Sequence, residues 1–190
     1  VNPSGDELYY ILKKRLFQEI PDESNIKPIA SAYREALREA HNMGLTAASP
    51  ESMYARVLES YPFHPDWREL LGKIKENPGF QQTRGIIRLM QMIVSDLWNS
   101  NKANNLDLIH PYDLNLNSDE IASEMRSINS TLSEAIAHDI SRNGEAEVEQ
   151  IDRDNNSSDA SDTAKMILVA SLSTTGAAIQ GLRAHQLIEG

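Results

Sequence analysis

The sequence predicts a mainly α-helical protein, folded as a multi-helix bundle with at most one short strand. Three observations support this prediction. Apolar residues recur at three- and four-residue spacing along most of the chain. Serine, threonine and proline stand where these runs begin, and glycine or proline stands where several of them end. With 190 residues, of which 40% are hydrophobic, the chain is long enough to bury a core.

Capping residues and helix breakers bound the first two helices. Ser4 and Glu7 form a capping box, so the first helix is expected to run from there to Leu16. The second helix is expected over residues 28–43, because Gly44 ends the apolar pattern. The face of the second helix that is predicted to point inward carries Ile29, Ala32, Tyr33, Ala36, Leu37 and Ala40.

Prolines open the next two helices. Ser49 offers an N-cap beside Pro50, which suits a first turn, and Pro65 opens a fourth helix that ends at Asn77. The predicted inward positions are Tyr54, Val57, Leu58 and Tyr61 in the third helix and Trp67, Leu70, Leu71 and Ile74 in the fourth.

The most apolar helix is predicted over residues 83–98, and its composition indicates a central, largely buried position. The predicted core positions of this helix are Ile86, Ile87, Met90, Ile93, Val94 and Leu97. Residues 106–109 form a short candidate strand or extended segment, which Pro111 ends. Helices over 118–127 and 131–141 follow, the second with a capping box of Thr131 and Glu134.

Residues 145–162 differ in composition from the rest of the chain. They hold seven acidic residues and one arginine, which favours a mobile, solvated loop. An apolar helix over 163–172 and a short helix over 178–187 are expected after it. The predicted organisation is therefore a bundle over 1–144, an acidic mobile loop over 145–162 and C-terminal helices over 163–190.

Composition excludes several classes of function. The net charge of −10 argues against a nucleic-acid binder with a broad basic surface, and the lack of cysteine excludes disulfides and thiolate chemistry. No apolar run approaches the ~20 residues that span a bilayer, so no membrane association and a cytoplasmic location are expected. Because Val1 stands where an initiator methionine would be, a fragment of a longer protein is expected.

Motifs for complete active sites are missing from the sequence. It contains no phosphate-binding loop of the G-x-x-x-x-G-K-[ST] type and no G-x-S-x-G nucleophile motif. The five histidines are scattered without metal-ligand spacing, so no metal site is expected. The chain by itself is therefore not expected to hydrolyse ATP.

Two arginines at the start of the fifth predicted helix are the first candidate site. Thr83, Arg84 and Arg88 stand in the pattern Thr-Arg-Gly-Ile-Ile-Arg. A guanidinium suits phosphate oxygens, and a helix N-terminus also favours an anion. The alternative is that both arginines pair with carboxylates of the bundle or remain solvated.

The second candidate is His64, within Tyr-Pro-Phe-His-Pro-Asp at residues 61–66. Two prolines fix the backbone there, so the imidazole could be presented to a nucleotide or take part in proton transfer. The alternative is a well-packed turn between helices, in which His64 caps a helix or serves as a hydrogen-bonded spacer.

These blocks resemble a known family. Arg15-Leu16-Phe17, the block at 61–65, the Phe80–Leu89 block and Leu108–Asp113 are similar to motifs of the prokaryotic AAA+ ATPases grouped as domain of unknown function 499 (DUF499). Members of that family are large proteins, often encoded beside DNA methyltransferases in phage-defence islands. The resemblance covers nearly the whole chain, and the two central blocks are the most specific.

The resemblance implies a helical lid beside a nucleotide-binding core. Arg84 would be a sensor arginine near the γ-phosphate, with Arg88 second; Thr83 and His64 are the other predicted cofactor-binding residues. ATP and Mg²⁺ would bind only in the full-length parent, whose N-terminal ATPase core would be the partner. The resemblance also implies the beginning of a winged-helix-like segment after residue 163, coupling to DNA or defence proteins, and possible ring-shaped homo-oligomers.

Two other functions are compatible with the residues. The chain could be a non-catalytic helical module that binds other proteins, with Arg84 purely structural. Alternatively, its last helices could form half of a DNA-contacting module through Lys165 and Arg183.

Overall fold

A computed structural model describes residues 5–74, 77, 83–172 and 182–189 of the chain. Within these ranges the fold is mainly α, as predicted, and contains no strand. The helices are α1 (Gly5–Leu16), α2 (Glu23–Asn42), α3 (Pro50–Ser60), α4 (Pro65–Ile74), α5 (Thr83–Asn99), α6 (Asp119–Ile128), α7 (Leu132–Ala135), α8 (Glu147–Asn155), α9 (Asp159–Ser171) and α10 (Ala184–Glu189). Two short 3₁₀ turns, Lys102–Asn105 and Pro111–Asp113, lie between α5 and α6.

The core has two parts. The larger part surrounds α5, against which α1, α4, α6 and α9 contribute buried side chains. The smaller part lies between α2 and α3 and is closed by Leu108. Burial of these apolar side chains stabilises the bundle by roughly 25 cal/mol for each Å² removed from water.

The best-predicted helices are those with large apolar residues at regular spacing. All four residues predicted to point inward in α4 are buried, from Trp67 to Ile74. In α5, Ile86, Met90, Ile93 and Leu97 are buried, while Ile87 and Val94 are half-buried. In α3, Ser49 caps the helix by accepting a hydrogen bond from the Ser52 backbone N–H.

The prediction for α2 was wrong in its start and in part of its face. The helix begins at Glu23, and Pro28 lies inside it rather than at its start. An interior proline removes one backbone hydrogen bond and its ring crowds the carbonyl four residues earlier, yet α2 continues through Pro28. The predicted Ala32 and Ala36 are exposed, while the buried residues are Ile26, Ala30 and Leu37. Because its side chain is small, the spacing of alanine along a helix does not indicate which face of the helix is buried.

The helix predicted over 131–141 is irregular. A short α-helix at Leu132–Ala135 continues into a π-helical turn at Ile136–Ile140. The predicted capping box is absent, because the Thr131 hydroxyl donates to the Asn129 side chain at 2.7 Å instead of capping the helix.

The acidic segment is helical, which corrects the prediction of a loop. Residues 147–155 form α8, and α9 begins at Asp159 instead of 163. Two carboxylates explain this. Glu149 accepts backbone N–H bonds from Arg142, Gly144 and Ala146, and Asp152 accepts them from Ala160 and Ser161 at the start of α9. Asp152 thereby caps the N-terminus of α9, and Glu149 holds the N-cap residue of α8 and the loop before it, roles that net charge alone conceals.

Two further predictions concern short elements. Residues 106–109 form no strand, and only an isolated parallel bridge joins Ile109 to Phe63. The last helix was predicted over 178–187; α10 occupies Ala184–Glu189, residues 182 and 183 are not helical, and residues 178–181 lie outside the described residues. Ser4 and the residues between Asn77 and Thr83 were also part of the predictions and lie outside the described residues. The division of the chain into domains remains a prediction.

Candidate functional site

Helix α5 has one buried and one exposed face, and the exposed face begins with the predicted arginines. Ile86, Met90, Ile93 and Leu97 point into the core. On the opposite side, the exposed residues recur at three- and four-residue spacing: Arg84, Arg88, Gln91, Ser95 and Trp98. The amphipathic pattern of the helix therefore places both arginines in solvent.

Arg84 and Arg88 have different surroundings. The Arg88 Nε atom lies 3.3 Å from Glu124 Oε2 on α6, and the Glu124 side chain is only 11% exposed. Arg84 is exposed and makes no ion pair or hydrogen bond with any residue that the structure describes. Thr83, the first residue of α5, is half-buried. Arg88 thus fits the interpretation of pairing within the bundle, and the exposed Arg84 fits both a solvated arginine and one whose charge is available to a ligand.

His64 lies at a junction of two chain segments. The Tyr61–Pro62 peptide bond is cis, and the following residues run beside the segment before the Pro111–Asp113 turn. The His64 backbone N–H donates to the Ile109 carbonyl at 2.9 Å, and the Ile109 N–H donates to the Pro62 carbonyl at 2.8 Å. These two bonds hold the two family-like blocks side by side.

Rings from both segments stack at this junction. The imidazoles of His64 and His110 lie 4.5 Å apart between centroids, with planes inclined by 19°. Tyr112 stacks on the other side of His110 at 4.6 Å. The Tyr33 hydroxyl, from α2, lies 2.6 Å from His110 Nε2. We call His64, His110, Tyr33 and Tyr112 the histidine junction.

Burial governs the electrostatics of the histidine junction. His64 is fully buried, and burial, with His110 and Arg56 adding to it, lowers its pKa to about 2. Burial also raises the pKa of Tyr33 to about 12 and that of Asp113 to about 6. The Asp66 carboxyl behaves like Asp113, since burial raises its pKa to about 6 against the opposing charge of Arg56. The His64 ring is therefore neutral at neutral pH and sealed from solvent.

The geometry of His64 matches the interpretation of a packed turn. Its Nδ1 accepts a hydrogen bond from the Asp66 backbone N–H at 3.3 Å, near the start of α4. Its Nε2 has no hydrogen-bond partner among the described residues. No hydrogen bond, ion pair or ring contact within the described part of the chain joins His64 to Thr83, Arg84 or Arg88. A nucleotide contact by His64 remains a prediction.

Three members of the histidine junction were not predicted as site residues. His110, Tyr33 and Tyr112 lie far from His64 in sequence, so no local pattern joins them. One signal was present. Both His64 and His110 precede a proline, and a repeated His-Pro pair indicates two rigid turns that could present imidazoles alike.

A cavity of about 370 Å³ lies beside Tyr112, between the 3₁₀ turns and α8–α9. Its charged lining residues carry both signs: Lys102, Lys165, Asp113, Glu149 and Asp162. Lys165 Nζ lies 3.7 Å from the Asp162 carboxylate, so its charge is partly neutralised. This cavity shows no preference for an anion, which distinguishes it from the surroundings of Arg84.

Comparison with known proteins identifies the family. The family model described as DUF499 second domain matches residues 4–176, which is most of the chain. The chain belongs to the DUF499 family. No curated protein and no solved structure matches it. The match includes α1–α9 and therefore both Arg84 and the histidine junction.

Among the described residues, no helix is both long and apolar enough to cross a bilayer. No group of three or more histidine or carboxylate side chains is arranged to hold a metal ion in this part of the chain.

Proposed function

We propose that this DUF499 domain is the helical lid of a larger AAA+ P-loop ATPase and that Arg84 contributes a sensor arginine to the nucleotide site. A single observation is central to this proposal. Arg84 stands exposed in the first turn of α5 without an ion-pair partner among the described residues, whereas Arg88, one turn later, is paired with Glu124.

Physical chemistry supports an anionic ligand for Arg84. The first turn of a helix presents unsatisfied N–H groups and the positive end of the helix dipole. A guanidinium held there meets phosphate oxygens with two parallel donors. The family model is described as a second domain, which fits a chain that acts beside another domain.

The residues of this chain would act on charge and position. ATP with Mg²⁺ would be held by the parent's core, because the sequence has no phosphate-binding loop. Arg84 would stabilise the negative charge of the terminal phosphate. Arg88 and Glu124 would tie α5 to α6, so that a displacement of Arg84 moves both helices together. Such a movement could couple hydrolysis to a DNA-related defence activity of the parent.

The test is Arg84→Ala in the full-length parent. We expect ATP turnover to fall by about 10²-fold or more, because one charge-stabilising donor is removed. Arg126→Ala, which removes an exposed arginine from α6, is the matched control and should leave turnover within about twofold. Unchanged turnover in a folded Arg84→Ala parent would contradict the proposal.

A second candidate function, a non-catalytic protein-interaction module, is favoured by a different observation. Trp98, at the other end of α5, is 75% exposed beside an apolar groove. The Arg84 experiment separates the candidates, since a purely structural Arg84 would leave turnover intact while the groove remains available for binding.

A further inference from the structure

The surface beside Trp98 forms a small apolar groove. It lies between the chain after α1, the cis-proline turn, the C-terminal half of α5 and the 3₁₀ turn at Lys102–Asn105. We call it the Trp98 groove; its lining residues include Phe17, Ile20, Pro62, Val94, Trp98 and Leu106. We propose that the Trp98 groove binds a cationic, amphipathic helix of a partner protein. The groove does not include Arg84, so this proposal stands or falls independently of the nucleotide proposal.

Exposure of large apolar side chains is the first argument. The two tryptophans of the chain differ sharply, since Trp67 is 1% exposed and Trp98 is 75% exposed. Ile20, which also lines the groove, is 37% exposed. Exposed aromatic anchors beside an apolar recess are typical of protein–protein contact sites, where tryptophan is enriched among the residues that dominate affinity.

The size of the groove indicates what enters it. Its volume is about 230 Å³. Cofactor and drug-sized ligands occupy pockets of roughly 300–1,000 Å³. A smaller, open recess suits one or two apolar side chains projected from a partner. The lining consists of helix and irregular segments without a strand edge among the described residues, so it offers an amphipathic helix side-chain contacts rather than strand pairing.

Charge selects a cationic partner. The lining includes the carboxylates of Glu19 and Asp107, and none of the lining residues is a lysine or arginine. Lys102, next to the lining residue Ala103, lines the neighbouring cavity instead. The whole chain has a net charge of −10, which adds long-range attraction for a basic segment.

The same charges argue against a second copy of this chain as the occupant. In a symmetric dimer each partner presents the same patch. Glu19 and Asp107 of one copy would then face those of the other, and the two net charges of −10 would repel.

Binding can be measured with a designed probe. The probe is a fluorophore-labelled model peptide of about 18 residues, built from Leu, Ala and Lys with one apolar face. A peptide with Glu in place of Lys and a scrambled peptide serve as comparisons. Because Trp98 lies in the groove, its fluorescence reports on binding there. We expect its emission to shift to shorter wavelength when the Lys peptide binds, while the buried Trp67 contributes a constant background.

Variants locate the binding site by anisotropy of the labelled peptide. We expect Trp98→Ala to weaken binding by at least about thirtyfold. The double variant Glu19→Gln/Asp107→Asn should weaken it by about fivefold at low salt. The double variant Glu39→Gln/Glu134→Gln removes the same charge from exposed sites elsewhere and should change affinity by less than about twofold. Arg84→Ala should bind normally.

Three results would overturn the proposal. The first is equal binding of the Lys, Glu and scrambled peptides. The second is equal loss of affinity in the two charge-neutralised double variants, since binding would then follow net charge rather than the Trp98 groove. The third is a dimer that forms without peptide and disappears in Trp98→Ala, because a second copy would then be the occupant.

Discussion

The two central sequence blocks of this protein look equally functional in the sequence, but the fold buries the polar side chain of one and exposes the polar side chain of the other. In the block at 61–66 the imidazole of His64 is sealed from solvent, fully buried and stacked on His110. The block that begins α5 is open, with Arg84 in solvent. An unusual motif can therefore reflect either packing or ligand binding, and burial of the polar side chain distinguishes the two.

The largest expected effect is the loss of His64. His64→Ala removes a fully buried ring from the histidine junction and leaves a cavity. We expect the free energy of unfolding to fall by about 3 kcal/mol, measured by urea denaturation. His41→Ala, which removes an exposed histidine from α2, should change it by less than about 0.5 kcal/mol. Equal losses of unfolding free energy in the two variants would show that the buried histidine contributes no more to stability than the exposed one.

The burial of the Asp66 carboxyl can be tested through the pH dependence of the protein's stability. Burial outweighs the opposing charge of Arg56 and raises the pKa of Asp66 from its usual 3.8 to about 6. The folded state therefore binds its proton more tightly, and the carboxylate costs stability as pH rises from about 4 to above 6. We expect Asp66→Asn to be more stable than the natural protein by about 2 kcal/mol at pH 7, and the difference to vanish near pH 4.

Chemical denaturation at several pH values measures this difference. A stability gain that persists unchanged at pH 4 would show that the amide acts through packing and not through the charge of Asp66.

Asp152 sharpens the comparison, because hydrogen bonds outweigh its burial. Burial opposes ionisation, but the side-chain and backbone donors of Ser161 and the Ala160 N–H hold its pKa below the usual value. This carboxylate contributes stability above its unfolded pKa and loses it as pH falls. We expect Asp152→Ala to lower the free energy of unfolding by about 1 kcal/mol at pH 7.

The pH dependence of this loss should be opposite to that of Asp66→Asn, since the penalty shrinks in acid as the natural carboxylate becomes protonated. Unfolding measurements on both variants at pH 7, at pH 4 and at about pH 2 to 3 compare them directly, because Asp152, whose pKa lies below the usual 3.8, becomes protonated only below pH 4. A penalty for Asp152→Ala that grows in acid would contradict the assignment of Asp152 as an N-terminal cap of α9.

The smallest effects on stability are expected at the open block. Arg84→Ala should change the free energy of unfolding by less than about 0.5 kcal/mol, because its side chain is exposed and has no partner among the described residues. A double-mutant cycle of Arg88 and Glu124 should give a coupling of about 0.5 kcal/mol. A loss of several kcal/mol in Arg84→Ala would show that Arg84 is structural.

Prediction from sequence succeeded where side chains are large and the spacing is regular. In α4, the side chains of Trp67, Leu70, Leu71 and Ile74 are all buried. Their spacing places these large apolar groups on one face of the helix, and that face packs into the core. It failed where small or acidic residues were decisive. Ala32 and Ala36 did not define a face, and α8 forms because Glu149 and Asp152 accept backbone bonds that only the folded chain brings within reach.

Prediction of the candidate site likewise succeeded for one part and failed for another. The chemistry of Arg84 and its place at the start of α5 followed from local pattern. The histidine junction did not, because Tyr33, His64 and His110 come from separate segments that meet only through long-range packing. The role of Arg84 at a nucleotide remains a prediction.

The sequence by itself determined that the protein is helical, where most helices begin and which large residues form its core, since these depend on spacing along one helix. Only the tertiary structure decided which polar groups are sealed and which are open. That choice depends on contacts between distant segments, which place His64 against His110 and leave Arg84 and Trp98 in solvent. Burial then sets the charge state and the availability of each group, and through them its possible function.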